Sequence, residues 1–362
     1  MRWELADEQD MLRDSFRAWL DHHAPTHAVR DWLDSGEVGP FEQAFARDGW
    51  LSVGFPESYG GQGGGLLELA LIAEQLGATA APASAWLASV LALPALVGVP
   101  DVASAVLFGD GHAALAVDAD RPLDDPGSIE AQADGAGHRV TGSVSSVLGA
   151  DRARHLLVPA RTGSGRQLYL VDAGADGVAV RGRRLLDRSR SVADVTFADV
   201  PGVPLEVDVE QVLADAALRA AVLVAADSLG AMERMLELAV EYSRQRKQFG
   251  VPIGSFQAVK HAAATMLVHT EAARSIVYYA AASVEQGHQD AALHAATAKA
   301  QVTAAGEESA DAALTMHGAI GYTWEHDLQL FYKRARLDTR LAGTPSVWNE
   351  RIAAALPLVP VG

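Results

Sequence analysis

The chain contains no cysteine. Disulfides, thiolate nucleophiles and Cys-based metal sites are therefore excluded. It also has no long uninterrupted apolar run. The most apolar stretch, Trp86 to Val99, is too short to cross a bilayer and is broken by Pro94, so no membrane span is expected. Positive charge is scarce as well: 29 Lys and Arg face 46 Asp and Glu, a net charge of -17. Nucleic acids and anionic membrane surfaces both demand a basic face, so neither is an expected partner. Met1 to Leu20 carry charge throughout and contain no apolar h-region. No secretory signal is expected, and a soluble cytoplasmic protein follows. What is abundant is apolar surface. Hydrophobic residues make up 49% of 362, enough for two or three regions sharing a large core and too many for a disordered chain.

Periodicity divides the chain into three parts. Glu4 to His23 places Leu5, Met11, Leu12, Phe16, Trp19 and Leu20 at helical spacing. A second helical segment runs from Pro40 to Asp48, and Leu66 to Val97 reads as two more helices, divided at Gly77-Ala78 and Pro82. Between them lies the glycine-dense loop Gly60 to Gly65. No strand precedes it and no Lys-Ser/Thr follows, so a flexible connection is preferred over a phosphate cradle. From about Ala105 to Pro204, short apolar runs alternate with Gly, Asp and Pro: Ala113 to Val117, His138 to Thr141, His155 to Ala160, Gln167 to Val171, Val178 to Val180 and Val192 to Phe197. That spacing predicts an all-β barrel or sandwich.

Beyond Leu205 the pattern is helical again. Val209 to Arg246 has no internal proline and would span roughly 55–60 Å. Ser255 to Glu285 and Asp290 to His317 follow, the latter with an alanine-rich face suited to close packing in an antiparallel bundle. Thr344-Pro345 is a start signal for a last helix, with Thr at the N-cap and Pro at the first helical position. The fold class is α+β, with regions expected at 1–104 (helical), 105–205 (β) and 206–362 (helical bundle).

The stretch Tyr242 to Gln257, YSRQRKQFGVPIGSFQ, concentrates the chemistry. Arg244, Arg246 and Lys247 fall within one helical turn, which suits the partial negative charge of a helix C-terminus. Gly250 is a suitable left-handed stop, with Pro252 after it. A capped helix end accounts for this much. The sharper reading is an anion clamp, in which Arg246 forks onto a phosphate and Gln257 reaches over from the next helix.

The wording R-x-Q-F-G, with F-Q seven residues after the Phe, resembles the flavin-pyrophosphate segment of the acyl-CoA dehydrogenase family. Two further stretches are similar to that family: GW-LSVGFPESYGGQGGG (Gly49 to Gly65) and HGAIGYTWEHDLQLFYKRAR (His317 to Arg336). The resemblance implies an N-terminal helical domain, a middle β-barrel and a C-terminal four-helix bundle. It also implies FAD as cofactor and α,β-desaturation of an acyl-CoA thioester. On the same basis Arg246, Phe249, Gln257, Gly318, Thr344 and Ser346 are candidates for holding FAD, the last two because free N–H groups opening a helix suit an anion. Departures exist: Thr315 stands where the family has Gln, and Ala319 replaces a second Gly.

Desaturation needs a carboxylate to remove the α-proton, and the family places a Glu at one of two positions. The turn just ahead of the final helix reads Ala342-Gly343-Thr344, with alanine in place of that Glu. The alternative position, about eight turns before Phe249-Gly250, is Ala220, flanked by Arg219 and Ala221. No catalytic residue is therefore assigned. Glu210, Asp215, Asp227 and Asp338 lie nearby and read as solvated helix positions. The stretches that line the flavin ring in the family correspond to Leu115 to Ile129 and Thr141 to Leu148, where Val117-Asp118 replaces Thr-Glu and no Lys-x-Trp follows Gly142.

A chain that keeps the clamp and loses the base resembles one half of a mixed oligomer. The resemblance implies the non-catalytic subunit of an α₂β₂ acyl-CoA dehydrogenase, of the kind that handles bulky steroid side-chain CoA thioesters. The acyl-CoA would be bound mainly by a homologous partner subunit. Two other readings stand beside it: a homo-oligomeric flavoenzyme with a displaced base or oxygen-using chemistry, and a flavin-free scaffold. No metal site is expected. His317 reads as a polar helix-end cap, His22-His23 as a solvated helix terminus, and Trp324-Glu325-His326 as a structural turn.

Overall fold

Proline and glycine stop most of the elements where local propensity says they should. The computed structural model describes residues 5–134 and 137–356. In chain order the first helices are α1 (Asp7–His23), α2 (Thr26–Ser35), α3 (Gly39–Arg47), α4 (Leu66–Thr79), α5 (Ser84–Ala92) and α6 (Pro100–Leu107). Strands β1 (His112–Leu115), β2 (Glu130–Asp134), β3 (Gly137–Leu148), β4 (Ala153–Thr162), β5 (Gly165–Asp172), β6 (Val178–Gly182) and β7 (Val192–Leu205) follow. Then come α7 (Val209–Gln245), the two-residue strands β8 (Lys247–Gln248) and β9 (Val251–Pro252), α8 (Gln257–Glu285), α9 (Ala291–Thr297), α10 (Thr303–His317), α11 (Leu328–Asp338) and α12 (Pro345–Ala355). No helix among the described residues is long and apolar enough to cross a membrane.

The helix-β-helix order matches the expectation, with differences of detail. The expected first residue of α1, Glu4, lies outside the described residues. Helices α2, α6 and α11 and strand β2 were not legible. The β2 sequence EAQAD has no β-branched or aromatic residue, so pairing with β3 makes it a strand, not propensity. The expected single helix from Asp290 to His317 is α9 and α10 joined through a π-helical segment, Ala298–Val302. The glycine loop also differs from the flexible connection expected. The Gly54 N–H donates to the Gly63 carbonyl and the Gly63 N–H to the Phe55 carbonyl, each at 2.8 Å, and the Gln62 side chain donates to the Gly49 carbonyl at 2.8 Å, so the loop folds back on itself.

The chain forms two compact units. One comprises residues 32–65 and 82–220. Its centre is a closed ring of strands, β4-β2-β3-β7-β5 and back to β4, with β1 added on β4 and β6 on β7. Closure leaves the ring without free edges. Along β7 Val195, Phe197 and Val200 are buried, and Leu156, Leu157 and Val158 of β4 are fully buried in succession, so β4 is covered on both faces. Helix α5 lies on β1, and Ser89 Oγ accepts the Ala113 N–H at 3.3 Å. Beside it Glu42 pairs with Arg152, and burial with the Arg152 charge pulls His112 down to about 4, so that ring is neutral.

The other unit comprises residues 1–31, 66–81 and 221–362. Here α4 and the second half of α7 meet backbone to backbone. A Cβ on Gly230 would lie 1.7 Å from the Glu74 carbonyl oxygen, and one on Gly77 would lie 2.0 Å from that of Asp227. Only glycine at both positions permits that approach. Two buried ion pairs fasten the crossing. Arg274 and Tyr278 of α8 donate to the Glu74 carboxylate at 2.6 and 2.7 Å. Arg334 of α11 pairs with Asp227 at 3.0 Å and donates to the Ala81 carbonyl at 2.9 Å.

Candidate functional site

Helix α7 ends one residue before Arg246, not at Gly250. Residues 247–252 form a small antiparallel ribbon with Phe249-Gly250 at its tip. Both tip residues have positive φ, 51° and 84°. A two-residue hairpin of this hand needs φ > 0 at both central positions. Gly250 therefore serves the hairpin and is not a helix stop, and Lys247 lies on a strand instead of in the last helical turn. The Ile253 N–H donates to the Arg246 carbonyl at 2.8 Å and closes the ribbon. Phe249 is 92% exposed in a conformation that costs an L-residue about 1–2 kcal/mol. Its ring meets Phe256 edge-on at 6.1 Å.

Arg246 and Gln257, the first residue of α8, both face solvent. Among the described residues neither side chain makes a hydrogen bond or ion pair. A forked cation and an amide with all their donors unspent are what a phosphate anhydride could recruit.

Gly318 ends α10 with φ 64°. The residue before it, His317, is buried, donates Nδ1–H to the Ala313 carbonyl at 2.7 Å and stacks on Tyr242 of α7 at 4.6 Å. His326 closes edge-on against both rings. The cap role expected for His317 is present. The stack that ties the end of α7 to the end of α10 was not foreseeable, because its members are 75 residues apart (317 − 242). Thr315 uses its hydroxyl on the Asp311 carbonyl of its own helix at 2.8 Å.

The turn ahead of α12 is held from beneath. Ala342 is 3% exposed with φ 58°, and its carbonyl accepts Trp348 Nε1–H at 2.8 Å. Lys299, in the π-helical segment, is fully buried and donates Nζ–H to the carbonyls of Asp338 (2.9 Å) and Gly343 (2.8 Å). Burial brings its ammonium down to about 7, against the opposing pull of Asp338. The only sign of this residue in the sequence is a lone lysine in an alanine-rich run. Thr344 caps α12, accepting the Val347 N–H at 3.5 Å, while Ser346 faces solvent with its hydroxyl unused among the described residues. No hydrogen bond among the described residues joins this turn to Arg246 or Gln257.

The nearby acids divide into two kinds. Glu210 and Asp215 are exposed and engaged with Arg166 and Gln211, as solvated helix positions would be. Asp227 and Asp338 are not solvated: they are 2% and 0% exposed, the first inside the Arg334 ion pair and the second beside Lys299. Ala220 is buried. In the barrel unit, Val117 is buried and Asp118 accepts the Asp120 N–H at 3.0 Å. Ser146 sits at φ 55° in a β3 irregularity, with Arg183 donating to its hydroxyl at 2.8 Å and its own N–H donating to Asp194 at 3.1 Å. A separate cavity of about 340 Å³, lined by Arg17, Gln75, Glu233 and Arg234 among others, includes none of the candidates.

Two family models match, described as acyl-CoA dehydrogenase N-terminal domain over residues 6–99 and acyl-CoA dehydrogenase C-terminal domain over residues 212–356. The acyl-CoA dehydrogenase IpdE2 of Mycolicibacterium smegmatis is 32% identical over 355 residues, covering 97% of this chain and 99% of that protein. The chain belongs to the acyl-CoA dehydrogenase family.

Acyl-CoA dehydrogenase FadE34 of Mycobacterium tuberculosis is also 32% identical, over 97% of this chain, which spans only 48% of that longer protein. Among solved structures, the ChsE4-ChsE5 complex from Mycobacterium tuberculosis superposes with a TM-score of 0.88 at 28% identity, over 100% of both chains. The Tcur3481-Tcur3483 steroid ACAD superposes with a TM-score of 0.86 at 26% identity, over 96% of this chain and 97% of that one. The helical, β-barrel and helical layout is that of the acyl-CoA dehydrogenase fold.

Proposed function

We propose that this chain is the non-catalytic subunit of a heteromeric, FAD-dependent acyl-CoA dehydrogenase, paired with a homologous chain that supplies the base. The carrying observation is Ala342. It occupies the turn where a carboxylate is needed, is buried, and has its carbonyl committed to Trp348. A methyl group cannot take a proton. The two complexes among the structural neighbours support a homologous partner. An α₂β₂ assembly and a cytoplasmic setting are part of the same proposal. One of them is a steroid ACAD, which supports a bulky, ring-bearing acyl-CoA as substrate, held mainly by the partner.

The residues of this chain fit the tail of FAD. Arg246 would place its fork on the pyrophosphate and Gln257 would add an amide donor. The first turn of α12, from Thr344 to Ser346, would present free N–H groups to an anion. Gly318 would allow close backbone approach, and exposed Phe249 would supply apolar cover. The ring-facing side fits less well, since Ser146 is already spent on Arg183. When bound, FAD supplies the hydride acceptor. Regions 1–104, 105–205 and 206–362 are proposed as the functional divisions, with the clamp confined to the last.

The test is the flavin-to-protein ratio of the chain alone and of the chain co-purified with a homologous partner. The chain alone is expected to hold little FAD and to leave it oxidised when acyl-CoA is added, whereas the complex bleaches. Stoichiometric FAD on the isolated chain, reduced by acyl-CoA, would overturn the reading. Arg246→Ala in the complex is expected to weaken FAD retention roughly 10- to 100-fold, the worth of one charge-assisted bond. If retention is unchanged, a flavin-free scaffold is favoured instead.

A further inference from the structure

Three potential metal ligands meet where α8 turns into α9. Helix α8 ends in a hydrogen-bonded reversal: the Gly287 N–H donates to the Val284 carbonyl at 3.1 Å and the His288 N–H to the Ser283 carbonyl at 3.0 Å, with Gly287 at φ 61°. This is the Schellman pattern, and it fixes where His288 emerges. Asp290 opens α9, but its carboxylate makes no capping bond. Its own N–H instead donates to His288 Nδ1 at 3.1 Å, linking the two residues. His294 lies four residues further on, hence on the same face of the first turn of α9.

We infer that His288, Asp290 and His294 form a binding site for a borderline divalent cation, zinc being the ion best matched. One ligand atom from each residue lies within 4.8 Å of the other two. Zinc binds imidazole nitrogen and carboxylate oxygen at about 2.0–2.2 Å, so the set closes by side-chain rotation in which His288 releases the Asp290 N–H and gives the freed lone pair to the metal. Two imidazoles and one carboxylate select zinc over magnesium or calcium, which prefer all-oxygen shells. A second shell is also present. Ser283, fully buried on α8, sits 2.7 Å from His294 Nδ1, and Tyr279 packs edge-on against the ring at 4.7 Å. With Nδ1–H donated to Ser283, the lone pair of Nε2 is free for a metal, the orienting role such partners commonly play. The ion would staple the end of α8 to the start of α9 and leave a coordination position open to water. None of these residues belongs to the proposed FAD clamp.

The experiment is calorimetric titration of the full chain, stripped with chelator, using zinc sulfate, with magnesium and calcium chlorides as controls. One zinc per chain is expected with saturable binding, together with a rise in Tm, because the ion binds the folded state. Neither control ion should do this. His294→Ala and His288→Ala are each expected to abolish the saturable phase, and Ser283→Ala to weaken it roughly 10-fold. The His288 side chain is 39% exposed, so its alanine variant keeps the test open should His294→Ala fold poorly. Absence of a one-per-chain event, or alanine variants that bind zinc as the parent does, would overturn the assignment.

Discussion

Tyr242 and His317 stack with ring centroids 4.6 Å apart and planes 22° from parallel, joining the last turn of α7 to the last turn of α10. Four residues after Tyr242 comes Arg246, and immediately after His317 comes Gly318, both candidates for holding a cofactor. Such a pair contributes about 0.5–1.5 kcal/mol beyond its buried area. A double-mutant cycle with Tyr242→Leu and His317→Leu should return a coupling of that size in urea unfolding. The same variants should lose FAD from the complex faster, since the turn and the glycine would no longer be held together. A coupling near zero would show that the stack is incidental.

Phe249 trades stability for position. It adopts φ 51° at a hairpin tip while 92% exposed. Phe249→Gly should relieve roughly 1–2 kcal/mol of backbone strain, less whatever the edge-on contact with Phe256 contributes. A Tm that rises while FAD retention falls is the expected pairing. A Tm that falls would mean that the Phe256 contact outweighs the strain.

Glu74 is a costly position to empty in the helical unit. It is fully buried, and its carboxylate accepts from both Arg274 and Tyr278. Burial pushes its carboxyl above the ordinary range, while the Arg274 charge opposes that shift. Removing the carboxylate leaves Arg274, a quarter exposed, with Glu233 at 3.6 Å and Glu271 at 3.7 Å, so the cost falls at the low end of the roughly 3–5 kcal/mol of a broken buried pair. Glu74→Ala should therefore unfold at markedly lower urea, whereas Glu210→Ala, at an exposed position, should stay within about 0.5 kcal/mol of the parent.

Lys299 supplies a pH signature. Its folded-state value of about 7 lies below the 10.5 of a free lysine, so between those limits the unfolded chain binds more protons than the folded one. Stability from this group is complete above about 10.5 and declines as pH falls towards 7, by at most about 1.4 kcal/mol per pH unit. Lys299→Met should flatten the stability profile between pH 7 and 10. It also removes the donor to Asp338 and Gly343, so the turn carrying Ala342 should exchange its amide hydrogens faster.

Much of the fold was readable because the signals are local. Pro40 and Pro345 each mark the first turn of a helix, Thr344 caps one, and the proline-free run from Val209 forms a single helix of 37 residues. The same locality shows alanine at 342, the position that the proposed function reads as lacking a carboxylate, because it depends only on which side chain follows Leu341. Sequence spacing misjudged Gly250. A glycine after three cations suits a helix stop, but the strand pairing of Lys247 with Pro252 claims it for a hairpin.

What the amino-acid order determined by itself, then, is element identity and the inventory of chemical groups. Backbone preferences act over a few residues, and a side chain's functional groups are fixed by its type. Tertiary structure alone decided which groups are spent and which are free. Arg334 and Arg246 are both arginines near helix ends, yet one is buried against Asp227 and the other stands unpaired in solvent among the described residues. Asp227 and Glu210 differ in the same way. Burial and pairing arise from residues brought together from far apart in the chain, 107 positions for Arg334 and Asp227, and no local pattern encodes them.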